Sequence, residues 1–392
     1  MADIRIPSTI KLGGGSVQEV AEQLSQFRCR RPLIVTDPFL MSQGLPLQIR
    51  DRLTASGMES GIFSDTVPDP TSKVVEAGSG VFVSGAYDSL VSVGGGSPMD
   101  TAKAIGMLAA NGGRARDYKV PYAPPRKGPI HVAIPTTAGT GSEVTRFTVI
   151  SDSETNEKML IAGANLVPDG AIVDYELTLT MPRRLTADTG TDSLTHAIEA
   201  YVSRRANGFS DSFALAAMKT IWEQLPIAFA QGENRAAREA MMLAATQAGL
   251  AFSNASVALV HGMSRPMGVH FHIPHGLSNA MLLPAVTAFS LSGAPERYGD
   301  CARTMGIAQA NLSNEAAAEA LVQALYRRNE ELEVPTPKMY GIPEADYFEL
   351  VPTMVAQALA SGSPENNRRV ATAGEISAIY RGCWSGSAQG KL

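Results

Sequence analysis

The first half of the chain alternates short runs of aliphatic and β-branched residues with segments of helical periodicity. Buried strands are predicted at residues 32–36, 61–63, 89–93, 131–135, 147–150 and 170–174. A helix is predicted over residues 71–84, with Thr71 as its N-cap. Strands and helices that alternate in this way are typical of a parallel sheet covered by helices. The sequence therefore predicts an α/β domain in this part of the chain.

Beyond about residue 182 the pattern changes to long helical segments. These are predicted at residues 191–203, 210–225 and 235–251, and runs of β-branched residues become rare. We expect a second domain that is nearly all α-helical. The boundary is placed near Met181 and Pro182, which gives an α/β domain over 1–181 and a helical domain over 182–392.

Composition excludes several classes of protein. The formal net charge is −5, from 33 Lys and Arg against 38 Asp and Glu, which argues against a dedicated nucleic-acid-binding protein. The 3 cysteines are far apart and form no CxxC pair, so neither a disulfide framework nor a cysteine zinc site is expected. No signal-peptide core and no run of about 18 apolar residues is found. The expectation is a cytoplasmic protein that binds neither nucleic acid nor membrane.

A glycine-rich turn follows the strand predicted at 89–93. Gly94, Gly95 and Gly96 allow the backbone to approach a ligand closely, and Ser97 is expected to cap the next helix. Free amide groups and the helix dipole at such a position favour a pyrophosphate. The spacing is not GxGxxG, and an ordinary strand-to-helix turn is the alternative.

Two further features favour a nucleotide. Thr136, Thr137 and Thr140 follow the strand at 131–135 in a turn rich in hydroxyls, which are suitable partners for ribose or diphosphate. Asp37, at the end of the first predicted strand, is positioned to bond the adenosine ribose hydroxyls and to repel a 2′-phosphate. The alternative for Asp37 is a turn-forming role before a proline. If Asp37 binds the ribose, NAD is preferred to NADP.

Four residues are candidates for one metal site. Asp192 and His196 are four residues apart, so on a helix they share a face, although a single pair of this kind is more often solvated or satisfied in the core. His261 and His275 are too far apart to share an ion along one straight helix, which would separate them by about 21 Å. Pro266, Gly268 and Pro274, which lie between them, are expected to break that helix and fold the chain back. One carboxylate and three imidazoles suit a divalent ion such as iron, zinc, cobalt or nickel.

Taken together, these motifs resemble those of the iron-containing, or group III, alcohol dehydrogenases. The segments that carry the resemblance are residues 34–37, 94–101, 134–140, 192–199 and 274–280. The resemblance implies an N-terminal nucleotide-binding domain, an all-helical C-terminal domain and an active site between them, the architecture of dehydroquinate synthase. It further implies reversible hydride transfer between NAD and a primary alcohol, diol or hydroxy acid, in a homodimer or larger homo-oligomer.

The resemblance also implies roles for individual residues. Asp192, His196, His261 and His275 would hold the catalytic metal, with Fe²⁺ expected and Zn²⁺ as the alternative. Lys158 would lie near the cofactor ribose. The remaining residues expected along the NAD site are Gly95, Gly96, Ser97, Asp100, Thr136 and Thr137. Separately, Phe252 is assigned either to the substrate side or to the core. A bound metal is expected to polarise the substrate oxygen as a Lewis acid.

One position departs from the family pattern. Many members carry a histidine four residues after the ligand that corresponds to His261, and this chain has Arg265 there. Arginine cannot shuttle protons near neutral pH, but it binds carboxylates and phosphates in bidentate fashion. Arg265 is therefore interpreted either as the partner of an anionic substrate group or as a residue that braces the cofactor or a loop.

Three other functions remain as alternatives. A dehydroquinate synthase-like lyase uses NAD and a metal with no net consumption of cofactor, but its metal ligands differ from those found here. A maleylacetate reductase need not use a metal. An NAD-binding regulator without enzymatic activity would have no need of all four candidate ligands.

Overall fold

A computed structural model describes residues 2–155 and 157–386. The two expected domain ranges also include Met1, Asn156 and residues 387–392, which lie outside the described residues. The chain divides into two compact units, one from Asp3 to Thr180 and the other from Met181 onward.

The first unit is built on a parallel sheet. Its strands lie in the order β1-β8-β5-β4-β2-β3, and a separate antiparallel pair consists of β6 and β7. The strands are β1 (Thr9–Leu12), β2 (Pro32–Val35), β3 (Gly61–Phe63), β4 (Ser89–Gly94), β5 (Ile130–Pro135), β6 (Phe147–Ser151), β7 (Lys158–Ala162) and β8 (Gly170–Val173). The predicted strands are confirmed within one residue at their ends. β1 and β7 were missed; β1 contains no fully buried residue, whereas β7 has the same length and alternating burial as the predicted β6.

Helices cover both faces of this sheet. They are α1 (Val20–Gln26), α2 (Pro38–Gln43), α3 (Leu45–Ala55), α4 (Ser72–Ser84) and α5 (Gly96–Asn111). Ile34 packs with α1 and α3 on one face, whereas its neighbours Leu33 and Val35 pack with α4 and α5 on the other. Strands buried on both faces explain the unbroken apolar runs in the sequence. The predicted cap of α4 is confirmed, since the Thr71 side chain accepts a hydrogen bond from the amide of Val74.

From Met181 to residue 386 the structure is helical and the described residues contain no strand. The helices are α6 (Arg183–Val202), α7 (Gly208–Ala230), α8 (Arg235–Asn254), α9 (Leu259–Phe271), α10 (His275–Ser290), α11 (Pro295–Thr304), α12 (Asn314–Glu331), α13 (Glu344–Ala360) and α14 (Ala373–Cys383). Every residue of α6 from Gly190 to Val202 is buried, as in a core helix surrounded by other helices. The expected α/β and all-α fold classes are both confirmed.

The break between the two candidate histidines lies at the last of the three expected positions. Pro266 and Gly268 do not interrupt α9, which continues to Phe271. The chain turns at His272, whose φ of 52° is left-handed, and α10 begins at His275 directly after Pro274, so the expected break is confirmed at Pro274. Burial of most of α9 outweighs the local cost of an internal proline, which the sequence pattern alone does not register.

Among the described helices, none alone has the length and apolar character of a membrane span. Taken as a pair, α8 and α9 meet that criterion of length and composition, but they are bent by 106° where they join.

Gly276 sets how closely α10 approaches α6. A Cβ at this position would lie 2.3 Å from the carbonyl oxygen of Asp188, which is backbone and cannot rotate away. We expect Gly276→Ala to destabilise the protein by about 1–3 kcal/mol, the usual cost of overpacking a core. Gly374→Ala is the control, because no atom lies within 4 Å of its Cβ position. Urea unfolding measures both, and equal midpoints would contradict the expectation.

Candidate metal centre and nucleotide site

Three adjacent strands of the sheet end in the residues that the sequence singled out. β2, β4 and β5 are neighbours, and parallel pairing brings their carboxyl ends to one edge. Asp37 follows β2, the glycine turn follows β4, and the threonine turn follows β5. Ligands of open α/β sheets bind at this edge of the sheet.

The glycine turn has a backbone that side chains would block. Gly94 has φ of 150°, and a Cβ there would lie 2.5 Å from Cγ of Pro98. A Cβ on Gly96 would lie 3.1 Å from the Thr140 side chain. The expected cap was wrong: α5 begins at Gly96 with Gly95 as N-cap, and Ser97 lies inside the helix. Gly95 takes this role with extended backbone and no side-chain hydrogen bond, and glycine is among the residues favoured at N-caps.

The threonine turn is hydrogen-bonded to the glycine turn, and one of its hydroxyls has no hydrogen-bond partner in the protein. The amide of Thr136 donates to the carbonyl of Gly94 at 2.9 Å. Thr140 accepts from the amide of Ser142. Thr137 Oγ1 is buried without a hydrogen-bond partner in the protein. A buried, unsatisfied hydroxyl beside glycine backbone fits a polar ligand at these turns.

Asp100 is an internal support for the turns. Its carboxylate accepts from Ser142 Oγ and from the amide of Val149, both at 2.9 Å. Lys103, one turn further along α5, donates to Ser142, Thr145 and the carbonyl of Phe147. Burial lowers the pKa of Lys103 to about 8, and burial raises that of Asp100. Through its contact with Ser142, Asp100 therefore holds the threonine turn in place.

The other two candidate cofactor residues are engaged locally. Asp37 Oδ1 accepts from the amide of Leu40 at 2.8 Å and caps α2, which is the turn role left open by the sequence. Lys158 forms an ion pair of 2.7 Å with Asp69. Neither contact prevents a second interaction, because a carboxylate accepts several hydrogen bonds and an ammonium donates three.

In the helical unit, Asp192, His261 and His275 converge. One ligand atom from each lies within 4.8 Å of the others. Asp192 Oδ1 is 3.4 Å from His261 Nε2 and 3.8 Å from His275 Nε2. The Asp192 and His261 side chains are each 3% exposed, whereas that of His275 is 39% exposed. The chain brings together these three residues from α6, α9 and the start of α10.

His196 lies beside the cluster but outside the set of three mutually close ligand atoms. Its Nε2 is 3.8 Å from Asp192 Oδ1, and its Nδ1 is buried without a partner in the protein. The ring stacks on His261 at 4.6 Å and on Phe252 at 4.2 Å between centroids. Burial lowers the pKa of His196 to about 3, so the imidazole is neutral and keeps a lone pair for a cation.

Two residues that the sequence did not single out complete the cluster. Glu199 Oε2 is 2.7 Å from His261 Nδ1, and its carboxylate also accepts from the amides of Ala258 and Val260. Asn279 Nδ2 donates to Asp192 Oδ1 at 2.7 Å and lies 3.2 Å from Nε2 of both His261 and His275. The helical spacing of Asp192, His196 and Glu199 was the available signal for Glu199.

This donor set fits a divalent cation. The contact with Glu199 assigns a proton to Nδ1 of His261, so the lone pair of Nε2 points toward Asp192. Burial alone would raise the pKa of Asp192, but the neighbouring imidazoles lower it and keep the carboxylate charged. The unpartnered atoms His196 Nδ1 and Asn279 Oδ1 add two more unsatisfied polar groups. A buried carboxylate surrounded by three imidazoles is a donor set suited to a divalent metal ion.

The remaining histidines lie apart from this cluster. His270 contacts Gln357 at 2.9 Å, and His272 forms the left-handed turn. His131 contacts Ser92 within the sheet unit, where burial lowers its pKa to about 3. Arg265, on α9, donates to Ser363 Oγ at 3.0 Å.

Family comparisons cover both units. A sequence model of iron-containing alcohol dehydrogenases matches residues 7–175, and one of the C-terminal part of the Fe-containing alcohol dehydrogenase family matches residues 186–384. The chain belongs to the iron-containing alcohol dehydrogenase family. The resemblance drawn from the motifs is confirmed, and with it the enzyme class.

Relatives in this family align along nearly the whole chain. An NAD-dependent methanol dehydrogenase of Bacillus methanolicus is 41% identical over 97% of this chain and 99% of its own length. The lactaldehyde reductase of Escherichia coli K12 is 35% identical over 96% and 98%. The crystal structure of a 1,3-propanediol oxidoreductase has a TM-score of 0.94 at 36% identity and covers 98% of this chain and 100% of its own.

Glu199 should control how tightly the alcohol dehydrogenase holds its metal. We expect Glu199→Gln to weaken Zn²⁺ binding by about 10- to 100-fold, because the carboxamide has no charge and only one acceptor oxygen for the three donors that Glu199 receives, and so holds the Nδ1–H form of His261 less firmly. Competition with a chromogenic chelator measures the affinity. Glu223→Gln, on the exposed face of α7, is the matched control. An unchanged affinity in Glu199→Gln would contradict this assignment.

Proposed function

We propose that this enzyme is an NAD-linked, metal-dependent alcohol dehydrogenase and aldehyde reductase. The alcohol carbon gives a hydride to the nicotinamide and the hydroxyl loses a proton, so the products are a carbonyl compound, NADH and H⁺. Primary alcohols, diols and hydroxy acids are the candidate substrates. The convergence of Asp192, His261 and His275 is the observation that carries this proposal.

Asp192, His196, His261 and His275 are the proposed metal ligands, with Fe²⁺ the expected ion and Zn²⁺ the alternative. A divalent ion held there supplies Lewis acidity, which lowers the pKa of an alcohol and polarises a carbonyl in the reverse direction. Glu199 fixes the tautomer of His261, and Asn279 orients the Asp192 carboxylate. Burial of Asp192 and His261 keeps bulk water away from these atoms.

Phe252 supplies an apolar surface against His196. The two rings are stacked with an interplanar angle of 16°, so Phe252 restricts the movement of the imidazole. This contact supports a position near the substrate, and it equally makes Phe252 part of the buried core.

NAD is proposed to bind at the carboxyl edge of the sheet. The backbone of Gly94, Gly95 and Gly96 and the N-terminus of α5 would receive the pyrophosphate. Asp37 would bond the adenosine ribose and disfavour NADP. The other residues proposed along this site are Ser97, Asp100, Thr136, Thr137, Thr140 and Lys158. The open hydroxyl of Thr137 supports this placement, and Asp100 acts there through the turn that it holds.

The enzyme is further proposed to work in the cytoplasm as a homodimer or larger homo-oligomer. β1 is an edge strand of the sheet, and Leu12 on it is 53% exposed. An exposed edge strand is a surface on which a second copy can pair. Light scattering of the purified protein measures the oligomeric state, and a monomer at micromolar concentration would contradict it.

Replacement of His275 tests the proposed mechanism directly. We expect His275→Ala to abolish NAD-linked turnover and to reduce bound metal greatly, because it removes one of three converging ligands. Metal content by mass spectrometry and NADH formation with a panel of alcohols are the measurements. His270→Ala is the control, since His270 hydrogen-bonds to the exposed Gln357 and lies apart from the proposed ligands. Full activity in a metal-free preparation would overturn the mechanism.

A further inference from the structure

Arg265 lies one helical turn beyond His261 on α9. Residues four apart on a helix share a side, with their Cβ atoms about 5–6 Å from each other. Arg265 is half-buried, and Nη1 donates to Ser363 Oγ at 3.0 Å. A permanent positive charge therefore lies close to the proposed metal ligands.

The pairing of Arg265 differs from that of comparable arginines. Six arginines are half-buried in the described part of the helical unit. Five of them form ion pairs with carboxylates at 2.6–3.1 Å: Arg184 with Asp188, Arg297 with Asp211, Arg303 with Asp300, Arg328 with Glu331, and Arg369 with Glu375. Arg265 is the sixth, and no carboxylate among the described residues lies within ion-pair distance of it. The fully buried Arg238 also lacks a carboxylate, but its guanidinium donates to Thr186 Oγ1 and to the carbonyls of Gly232 and Met181, whereas Arg265 donates to Ser363 alone among the described residues.

Nearby protein groups do not neutralise this charge. Glu199 acts on Arg265 only at longer range, and its carboxylate already accepts from two backbone amides and His261. Ser363 takes one of the five N–H donors of the guanidinium. Withdrawing a charge from water without a counter-ion is costly, so the site favours an anion from outside the chain.

We propose that Arg265 binds an anionic group of the substrate and makes this enzyme selective for hydroxy acids and the corresponding aldehyde acids. A carboxylate matches the planar fork of the guanidinium, which donates two parallel hydrogen bonds to it. The short separation of Arg265 and His261 along α9 requires a short substrate, with the reacting oxygen and the carboxylate at its two ends. This inference rests on the proposed function, since it identifies a substrate for the same reaction.

A purely structural role for Arg265 makes a different prediction. Arg265 would then brace the segment that holds Ser363, which is itself buried. Loss of such a brace affects folding and affects all substrates alike. Loss of an anion-binding group affects only substrates that carry the anion.

The experiment compares substrates of equal chain length in the Fe²⁺- or Zn²⁺-loaded enzyme. NAD reduction is measured with 3-hydroxypropanoate and 4-hydroxybutanoate against 1-propanol and 1-butanol, with 2-hydroxyethanesulfonate as a second anion. We expect wild-type kcat/KM to be higher for the acids. In Arg265→Gln, kcat/KM for the acids should fall by about 10-fold or more, with the alcohols changed less than about 2-fold. Arg265→Lys should keep part of the preference.

A binding measurement without turnover complements the kinetics. Butanoate should raise the melting temperature of the wild-type protein, and this shift should be lost in Arg265→Gln. Arg297→Gln is the matched control, because it removes another half-buried arginine that already has a partner in Asp211. That variant should lose stability and keep the preference for acids.

Several outcomes would overturn the proposal. One is that the wild-type enzyme prefers neither the carboxylates nor the sulfonate over the alcohols. Another is that Arg265→Gln loses activity equally with acids and alcohols. A preference for the sulfonate alone would replace carboxylate with sulfonate as the recognised group. Failure of the proposed function is distinct, since it would appear as no NADH formation from any substrate while the butanoate shift remains.

Discussion

The helical unit depends on the burial of two carboxylates on one stripe of α6. Asp192 and Glu199 are seven residues apart, which is two helical turns, and each is almost fully removed from water. Buried charges of one sign must be compensated by donors or cations. Glu199 is satisfied within the protein, by two amides at the start of α9 and by His261. Asp192 accepts from Asn279 and lies beside the imidazoles of His196, His261 and His275, with no backbone amide or arginine paired to it among the described contacts, so its charge is available to a cation.

This division of roles explains the arrangement of the surrounding helices. Glu199 fixes the beginning of α9 and therefore the position of His261, while the absence of a side chain at Gly276 lets the beginning of α10 approach α6. His275 is the first residue of α10, so the close approach brings its imidazole to Asp192. The proposed ligands therefore meet because the first turns of α9 and α10 are both held against the buried helix α6. The Glu199 carboxylate holds α9, and the missing side chain at Gly276 allows the approach of α10.

Much of this arrangement was predictable from the sequence. The parts that were not predictable have identifiable physical causes. Buried parallel strands leave unbroken apolar runs, so β2, β4 and β5 and the turns after them could be located. β1 contains no fully buried residue and gave no comparable signal, and β7, which alternates in burial like β6, pairs with β6 outside the parallel sheet. Asp192 and His196 share helical spacing, but the approach of His261 and His275 depends on tertiary packing. The contribution of Pro266 was misjudged because burial, rather than local propensity, decides whether a core helix continues.

The supporting residues were the hardest to predict, because their role depends on a partner distant in sequence. Glu199 is 62 residues from His261, and Asn279 is 87 from Asp192. Asp100 was expected along the cofactor, yet its carboxylate is taken up by Ser142 and Val149. Motifs mark such residues as part of a site, and only the hydrogen-bond partners show whether they touch the ligand or hold the groups that do.

Charge balance connects these observations to substrate selection. Asp192 is the proposed ligand of a cation, and Glu199 is already satisfied by two amides and His261, so neither carboxylate is available to Arg265. The same helix α9 therefore carries the proposed metal ligand His261 and, one turn later, an arginine without a counter-ion among the described residues. A neutral residue at 265 would leave selectivity to shape and apolar contact, which discriminate weakly. A fixed positive charge close to the proposed ligands instead discriminates between substrates with and without an anionic group. A guanidinium that is partly withdrawn from water is stabilised most by a counter-ion, and here only the substrate supplies one.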